Sequence, residues 1–234
     1  MRERGSRRHV GATLDRVTVA AVILSATADG ALADTLGQPR VRRLADLAWA
    51  GGALPIVVLA PDPDGAVKAA LLGSEAVYGS PDLPEAGPVG QIAHGAELAM
   101  AEVRDTTGIL IWPARMTWIG AETITSLIEA HGMARDAMLR PTWDDQPGWP
   151  VLLPTLHLAT LRSIAPDRMA PDVVEDLARV LPTRSVDVGD PGVVFDVETD
   201  PADMPPYEGP PDPPAGHTHE WGAEVTSEAA FPEP

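Results

Sequence analysis

The sequence predicts an α/β domain built on a doubly wound, mostly parallel sheet and followed by an acidic tail. Two observations support this prediction: short apolar runs rich in β-branched residues alternate with segments of helical periodicity, and the alternation stops near residue 200. Strands that alternate with helices are joined by right-handed crossovers, which make the strands parallel and place helices on both faces. We therefore expect a domain at 16–200, after a flexible leader at 1–15.

Individual elements follow from local patterns. Strands are predicted where apolar, β-branched residues form short continuous runs, and helices where apolar residues recur at helical spacing before a glycine or proline. The predicted strands are 17–24, 55–60, 75–78, 108–112, 137–140, 149–153, 186–188 and 193–195. The predicted helices are 40–50, 64–72, 91–103, 120–131, 155–164 and 171–181, the last with proline in its favourable first turn. Polar, Gly- and Pro-rich stretches at 80–88 and 142–148 are predicted loops.

Composition limits the classes of protein to be considered. The chain has 234 residues, 44% of them hydrophobic, which is enough for one sizeable domain with a buried core. It has no cysteine, which excludes disulfides, thiolate metal sites and a cysteine nucleophile. The apolar run at 17–24 follows an arginine-rich leader, but it is too short to span a bilayer and is better interpreted as a strand than as a signal peptide. We therefore expect a cytoplasmic protein without a membrane partner.

Charge is distributed unevenly along the chain. The net charge is −17, but residues 1–184 carry only −5, because no Lys or Arg follows Arg184 while twelve Asp and Glu do. The basic face that nucleic acids require is missing from this pattern, so we expect no nucleic-acid partner. From residue 201 onward proline and acidic residues dominate, which predicts a disordered tail at 201–234 that could contact a protein partner.

Five segments form a recognisable series: AAVILSAT at 20–27 followed by GQP at 37–39, GPVGQIAHG at 87–95, ILIWPARM at 109–116, GWPV at 148–151, and DVET at 196–199 with Asp203. In this order and spacing they resemble the molybdenum-cofactor guanylyl- and cytidylyltransferase family, a MobA-like branch of the nucleoside-triphosphate transferases. The resemblance implies a Rossmann-like fold of the nucleotide-diphospho-sugar transferase, or GT-A, type. It also implies Mg²⁺-dependent transfer of a nucleotidyl group from a nucleoside triphosphate to a phosphorylated acceptor such as a pterin, in molybdenum-cofactor biosynthesis.

The first segment corresponds to the family's phosphate-binding loop. There, backbone amides cradle the triphosphate, and an arginine and a lysine neutralise its charge. The resemblance assigns nucleotide contacts in this loop to Leu24, Ser25, Ala26 and Thr27. Thr27 stands at the usual glycine position, Arg40 is the only nearby cation, and the sole lysine, Lys68, lies on the next helix. Asp29 and Asp34 add negative charge where the triphosphate would lie, so a plain strand–helix connection is the alternative interpretation.

The second segment corresponds to the turn that helps the family recognise the base and ribose. The resemblance assigns nucleotide contacts to Gly87, Gly90 and Gln91, with His94 as a further candidate. Glycines allow a backbone to approach a ligand closely. A helix start that needs glycine for its own turn geometry is the alternative.

The third segment bears most directly on the chemistry. The family has an aspartate after Pro-Ala, and its carboxylate holds the cation that bridges the phosphates. This sequence has Arg115 there, and a guanidinium cannot ligate Mg²⁺ but can bind phosphate. Asp196 and Glu198 correspond to the late acidic position that supplies a metal ligand, and a salt bridge with Arg115 is their alternative role.

Because these positions are altered, we assign no catalytic residue and expect a catalytically impaired member, a pseudoenzyme, that binds nucleotide or a partner related to the molybdenum cofactor. Two alternatives stay open: an active nucleotidyltransferase in which Arg115 replaces the metal ligand, and a non-catalytic interaction or scaffold protein. In an open sheet of this class, ligands bind at the carboxyl ends of the strands where the strand order reverses. The site is therefore expected in the loops that follow residues 24, 60, 78 and 112.

Removal of residues 206–234 should leave the melting temperature nearly unchanged. This segment lacks apolar periodicity and cannot offset the entropy cost of becoming ordered. Calorimetry on the full and shortened chains measures the effect, and a large drop on shortening would mean that the tail packs on the domain.

Overall fold

The computed structural model describes residues 17–81 and 84–210; the predicted leader and the tail beyond residue 210 lie outside the described residues. The strands are β1 (Val19–Leu24), β2 (Asp34–Thr35), β3 (Gln38–Pro39), β4 (Ile56–Leu59), β5 (Ala76–Gly79), β6 (Gly108–Pro113), β7 (Met138–Trp143), β8 (Gln146–Pro147), β9 (Val151–Pro154) and β10 (Thr183–Asp187). The helices are α1 (Ala28–Leu32), α2 (Arg40–Ala50), α3 (Ala66–Ala70), α4 (Gly87–Glu102), α5 (Ala121–Met133) and α6 (Ala170–Ala178). Short 3₁₀ helices are Pro84–Ala86, Thr155–Ser163, Pro191–Val193 and Pro201–Asp203.

Within the described residues, eight strands form one mixed sheet in the order β10-β7-β9-β6-β1-β4-β5, with β8 paired to β7. The central strand β1 is parallel to β4 and to β6, and β9 is antiparallel to both of its neighbours. The chain builds outward from β1 through β4 to β5 and then returns to the other side of β1 with β6. The strand order therefore reverses between β1 and β6, and the predicted mostly parallel α/β sheet is confirmed.

Helices cover both faces of the sheet. Alternate residues of β1 point to opposite faces, so Ala21 and Ile23 join one core with α1, α2, α3 and α5, while Ala20 and Val22 join the other with α4. On that second face, α6 and the 3₁₀ helix Thr155–Ser163 pack over β7 and β9. All these strand side chains are buried, which explains why the sequence shows continuous apolar runs.

Two predicted connections contain hairpins because turn residues determine their local structure, and one predicted helix is of a different type. The connection at 25–39 contains α1 and a β2–β3 hairpin, whose two turn residues, Leu36 and Gly37, have φ of 53° and 84°. The predicted loop at 142–148 is also a hairpin, with Asp144 and Asp145 at φ 49° and 59°. Two positive φ values favour a two-residue turn that matches strand twist. The predicted helix at 155–164 is a 3₁₀ helix.

The predicted strand at 193–195 is wrong. The chain there makes the 3₁₀ turn Pro191–Val193 instead, because the side chain of Asp190 accepts a hydrogen bond from Gly192 N at 2.8 Å and Pro191 has no amide hydrogen for a ladder. Beyond the predicted boundary at 200, Glu208 N donates to Gly189 O at 2.8 Å, so the chain continues along the domain. The division at residue 200 stays a prediction.

None of the helices in the described ranges is both long and apolar enough to cross a membrane.

The buried carboxylate of Asp190 joins the C-terminal segment to the start of α5. Its side chain is only 3% exposed and accepts hydrogen bonds from Gly120 N at 2.9 Å, Thr123 Oγ1 at 2.7 Å and Gly192 N at 2.8 Å. Gly120 is the residue that precedes α5. Asp190 therefore caps α5, although its partner Thr123 precedes it by 67 positions in the chain.

Replacing this carboxylate, Asp190→Ala, should lower the free energy of unfolding by about 2–3 kcal/mol, because it removes a helix cap and leaves buried donors without an acceptor. Urea denaturation followed by tryptophan fluorescence measures the change. Asp200→Ala is the matched control, since the Asp200 carboxylate accepts a similar bond from Ala202 N at 2.9 Å but is exposed. Equal losses in the two variants would contradict the role given to Asp190.

Candidate functional site

The carboxyl ends of β1, β4 and β6 meet at one edge of the sheet. Leu24 is in register with Pro113, Ala114 N donates to Leu24 O at 2.8 Å, and Ser25 N donates to Leu59 O at 2.9 Å. The loops that follow β1 and β6 are therefore held side by side at the reversal of strand order, where ligands of open α/β sheets bind. The structure thus brings together the first and third sequence segments.

The loop after β1 uses several of its polar groups within the protein. Ser25 Oγ donates to Thr27 O at 3.0 Å, and Thr27 Oγ1 accepts from Gly30 N at 3.0 Å as the cap of α1. The side chain of Leu24 packs into the core under α4. Of the predicted contact residues in this loop, only Ala26 and Thr27 are exposed. The pattern fits the alternative of a strand–helix connection, and nucleotide contact here stays a prediction.

The glycines of the second segment are explained by packing. Gly87 has φ of 61°, and a Cβ atom there would lie 2.0 Å from Pro166 O. At Gly90 a Cβ atom would lie 2.4 Å from Ala86 Cβ, and at Gly95 it would lie 2.4 Å from Val22 Cγ1. These close approaches are to the protein itself, which is the alternative interpretation that the sequence left open.

The two polar candidates of this segment lie on α4. Gln91 is half-buried, and His94 Nε2 lies 3.1 Å from Ser80 O. His94 therefore ties α4 to the segment that follows β5. Contacts from Gln91 and His94 to a nucleotide stay predictions.

The third segment is shaped so that Arg115 projects from a tight turn. Trp112, fully buried, donates from Nε1 to Met116 O at 2.8 Å, and Met116 N donates to Pro113 O at 2.9 Å. These bonds close the turn after β6 and fix the backbone around Arg115. The side chain of Arg115 is 53% exposed.

Arg115 is paired with both late acidic candidates. Its Nη2 lies 2.6 Å from Asp196 Oδ2 and 2.9 Å from Glu198 Oε1. The backbones are joined as well, since Val197 N donates to Arg115 O at 3.0 Å and Trp118 Nε1 donates to Asp196 O at 2.8 Å. The salt bridge that the sequence left open as an alternative role is therefore present.

A second guanidinium lies close to this cluster. Arg40 Nη1 donates to Gly30 O at 3.0 Å, which ties the start of α2 to α1. Burial lowers the pKa of Arg40 from its usual value, and the positive charge of Arg115 lowers it further. Two cations thus share the region where the family resemblance places phosphate.

The remaining charged residues of the region have local roles. Asp34 Oδ1 accepts from Gly37 N at 2.9 Å in the hairpin turn, while Asp29 is exposed in the first turn of α1. The backbone amide of Lys68 donates to Asp62 Oδ2 at 3.0 Å in α3, a helix that packs against α1.

Sequence reasoning missed two residues that build the site. Asp190 begins an Asp-Pro-Gly run, a typical turn signal, and that signal could have identified the turn although not its partner on α5. Trp118, whose indole holds the Asp196 backbone, carries no signal in its sequence context. Both help to fix the positions of Asp196 and Glu198.

The fold and this geometry can be compared with known proteins. A family model described as the MobA-like NTP transferase domain matches residues 25–180. No curated protein sequence matches the chain.

Solved structures of low sequence identity share the fold. They include Rv0371c from Mycobacterium tuberculosis H37Rv, at 18% identity and a TM-score of 0.60, covering 78% of this chain and 93% of that one. A nucleotidyl transferase from Methanothermobacter has 15% identity and a TM-score of 0.56, covering 77% and 91%. A 2-C-methyl-D-erythritol 4-phosphate cytidylyltransferase from Thermus thermophilus has 15% identity and a TM-score of 0.56, covering 80% and 95%. The predicted Rossmann-like nucleotidyltransferase fold is confirmed.

If a nucleotide binds, it should contact the loops at 25–39, 87–95 and 113–117, because these lie at the carboxyl edge of the sheet or at the start of the helix beside it. Titration of GTP into ¹⁵N-labelled protein should shift amide resonances in these loops. Gly52 and Gly73 precede β4 and β5 at the opposite edge and serve as controls. Shifts confined to residues outside the three loops would refute this placement.

Proposed function

The chain belongs to the family of MobA-like NTP transferase domains, and on that premise we propose that it binds a nucleoside triphosphate without carrying out metal-dependent nucleotidyl transfer. The observation that supports this proposal is the ion cluster at the end of β6. Arg115 occupies the family's metal-ligand position, and both acidic residues that could hold a metal are paired with it.

A magnesium ion does not fit the residues present. Mg²⁺ requires oxygen ligands in near-octahedral geometry, whereas Asp196 and Glu198 both contact a guanidinium that stays protonated. A dication between these carboxylates would lie beside a permanent positive charge. Over residues 17–81 and 84–210, no group of three or more His, Cys, Asp or Glu side chains is arranged to hold a metal ion. Rv0371c has been crystallised with manganese, but this chain shares only its fold with that protein.

Phosphate binding is the chemistry that the arginines can still perform. A guanidinium presents a planar fork of N–H donors that fits phosphate oxygens without a metal ion. Arg115 is half exposed at the turn after β6, and it lies near enough to Arg40 for its charge to lower the pKa of that residue. Binding through these two groups would not depend on Mg²⁺.

Several groups that would stabilise the transition state of nucleotidyl transfer are replaced or already engaged. Removing one main electrostatic stabiliser of a transition state typically costs about 10²–10³ in rate. Here the carboxylate that holds the metal is replaced and the loop lysine is missing. The amide of Ser25 is bound to Leu59 O, and the amide of Gly30 is bound to Thr27. These amides are therefore engaged in the free protein instead of being open to a phosphate.

Location and acceptor belong to the same proposal. We propose that the protein is cytoplasmic, because nucleoside triphosphates would be accessible to it there. The family resemblance favours a molybdopterin-type cofactor as its partner. The acidic, proline-rich tail at 201–234 is the proposed contact for a protein partner.

A second candidate function is an active nucleotidyltransferase in which fixed cations replace the metal. The proximity of Arg40 and Arg115 favours it, because two guanidiniums can neutralise charge that develops on phosphates. A scaffold protein, the third possibility, would bind neither nucleotide nor metal at this edge.

GTP or CTP should bind with an affinity that EDTA leaves unchanged, and Arg115→Ala should weaken binding by about 10-fold, as expected for a lost charge-assisted contact worth about 1.5 kcal/mol. Isothermal titration calorimetry with and without Mg²⁺ measures this. Arg104→Ala is the control, since Arg104 is an exposed arginine that precedes β6 at the opposite edge of the sheet.

No Mg²⁺-dependent release of pyrophosphate from GTP or CTP should be detectable with a molybdopterin-type acceptor. Arg115→Asp should improve Mg²⁺ binding without restoring turnover. Robust turnover that Arg115→Ala abolishes would establish the metal-free transferase instead, and failure to bind any nucleotide would favour the scaffold.

A further inference from the structure

A short acidic segment lies over Arg115 and is held there by exposed ion pairs and by two hydrogen bonds, from Val197 N to Arg115 O at 3.0 Å and from Trp118 Nε1 to Asp196 O at 2.8 Å. We call residues 195–199 the acidic strap. Asp196 and Glu198 both contact Nη2 of Arg115, while Glu198 is 81% exposed and Asp196 is 24% exposed. Exposed ion pairs contribute little to stability because solvent screens them. Replacing the contact between Glu198 and Arg115 by a contact with another anion therefore costs little free energy.

The strap is tethered to a buried anchor. Asp190 is nearly fully buried with three hydrogen bonds, and Val193 O accepts from Trp149 N at 2.9 Å. Gly192 lies so close to Trp118 that a Cβ atom would come within 2.3 Å of its carbonyl oxygen. Residues up to Phe195 are therefore held on the domain, because Phe195 N also donates to Pro191 O at 3.1 Å and its ring centroid lies 5.7 Å from that of Trp143. The rest of the strap, from Asp196, is partly exposed.

Within the strap, Asp196 is held more firmly than Glu198. The Asp196 carbonyl accepts the indole hydrogen of Trp118, and its Oδ1 accepts from Glu198 N at 3.0 Å. The side chain of Glu198 is held through its exposed bond with Arg115. We expect Glu198 to release first and Asp196 to remain.

The carboxylates and a phosphate compete for the same donor. An arginine fork binds carboxylate and phosphate with the same geometry, so an incoming phosphate that uses Nη2 must displace a carboxylate or lie beside it. A competitor attached to the same chain acts at an effective concentration on the order of millimolar, which free phosphate compounds must overcome.

We propose that the acidic strap is a tethered anionic competitor that limits phosphate binding at Arg115. The affinity of the site for a nucleoside triphosphate is then set by the release of Glu198 from Arg115. This proposal rests on the proposed nucleotide binding, and it adds that a segment of the same chain regulates that binding.

Glu198→Gln keeps the size of the side chain and removes its charge. It should tighten the binding of GTP and of tripolyphosphate, both titrated in EDTA, by about 2- to 5-fold, the worth of an exposed ion pair. Glu208→Gln is the matched control, because it removes one charge from an exposed glutamate further along the same segment and should leave the affinity unchanged.

A second measurement reports on the strap without a ligand. The indole hydrogen of Trp118 is covered by the Asp196 carbonyl, so its exchange with solvent reports whether Asp196 stays in place. Because Glu198 is expected to release while Asp196 remains, Glu198→Gln should leave this exchange unchanged; faster exchange in Glu198→Gln would mean that the strap leaves as a whole and would contradict release of Glu198 alone.

The outcomes separate the two proposals. If the natural protein binds GTP and Glu198→Gln binds it no more tightly, the competitor role is wrong while nucleotide binding stands. If Glu198→Gln and Glu208→Gln tighten binding equally, the effect is one of overall charge and the competitor role is again wrong. If the natural protein and Glu198→Gln both fail to bind GTP and tripolyphosphate, both proposals fall.

Discussion

The arrangement of the candidate site depends on the buried carboxylate of Asp190. This side chain caps α5 and closes the turn at Gly192, so it fixes the C-terminal segment against the loop that precedes the helix. Trp118 then holds the Asp196 backbone, and Asp196 and Glu198 reach Arg115. A buried charge is tolerated only when its hydrogen-bonding capacity is met, and here three donors meet it. The ion cluster at the surface is thus positioned by a polar contact in the interior.

The sequence predicted the elements that hydrophobic periodicity determines. β1, β4, β6 and α2 were predicted within two residues, because their side chains are buried in continuous runs or on one helical face. Elements that depend on a few backbone angles were missed. The hairpin at Leu36 and the one at Asp144 need residues with positive φ that are not glycine, and such residues carry a weak signal. The turn at Asp190 depends on a partner far away in the chain.

The candidate site was predictable in position but only partly in role. Family resemblance located Arg115 and the two late acids, and a salt bridge was one of two roles left open for them. Choosing between the roles required side-chain positions, because spacing alone does not show which carboxylate meets which cation. Gly87 and Gly95 illustrate the same limit. Glycine is compatible with a close ligand and with a close protein backbone, and the distances to Pro166 and Val22 explain both glycines by packing.

The balance of charges at the end of β6 determines how strongly the free protein would attract its proposed ligand. Burial lowers the pKa of Arg40, and the positive charge of Arg115 lowers it further, while Asp196 and Glu198 add two negative charges beside Arg115. With the carboxylates in place the four groups together are neutral, so a phosphate gains little attraction there. When Glu198 is released and Asp196 remains, the group carries one net positive charge, and under the proposed binding a phosphate takes the place of the Glu198 carboxylate. Under the proposed binding, the acids that stabilise the free site are therefore also the groups that oppose its ligand.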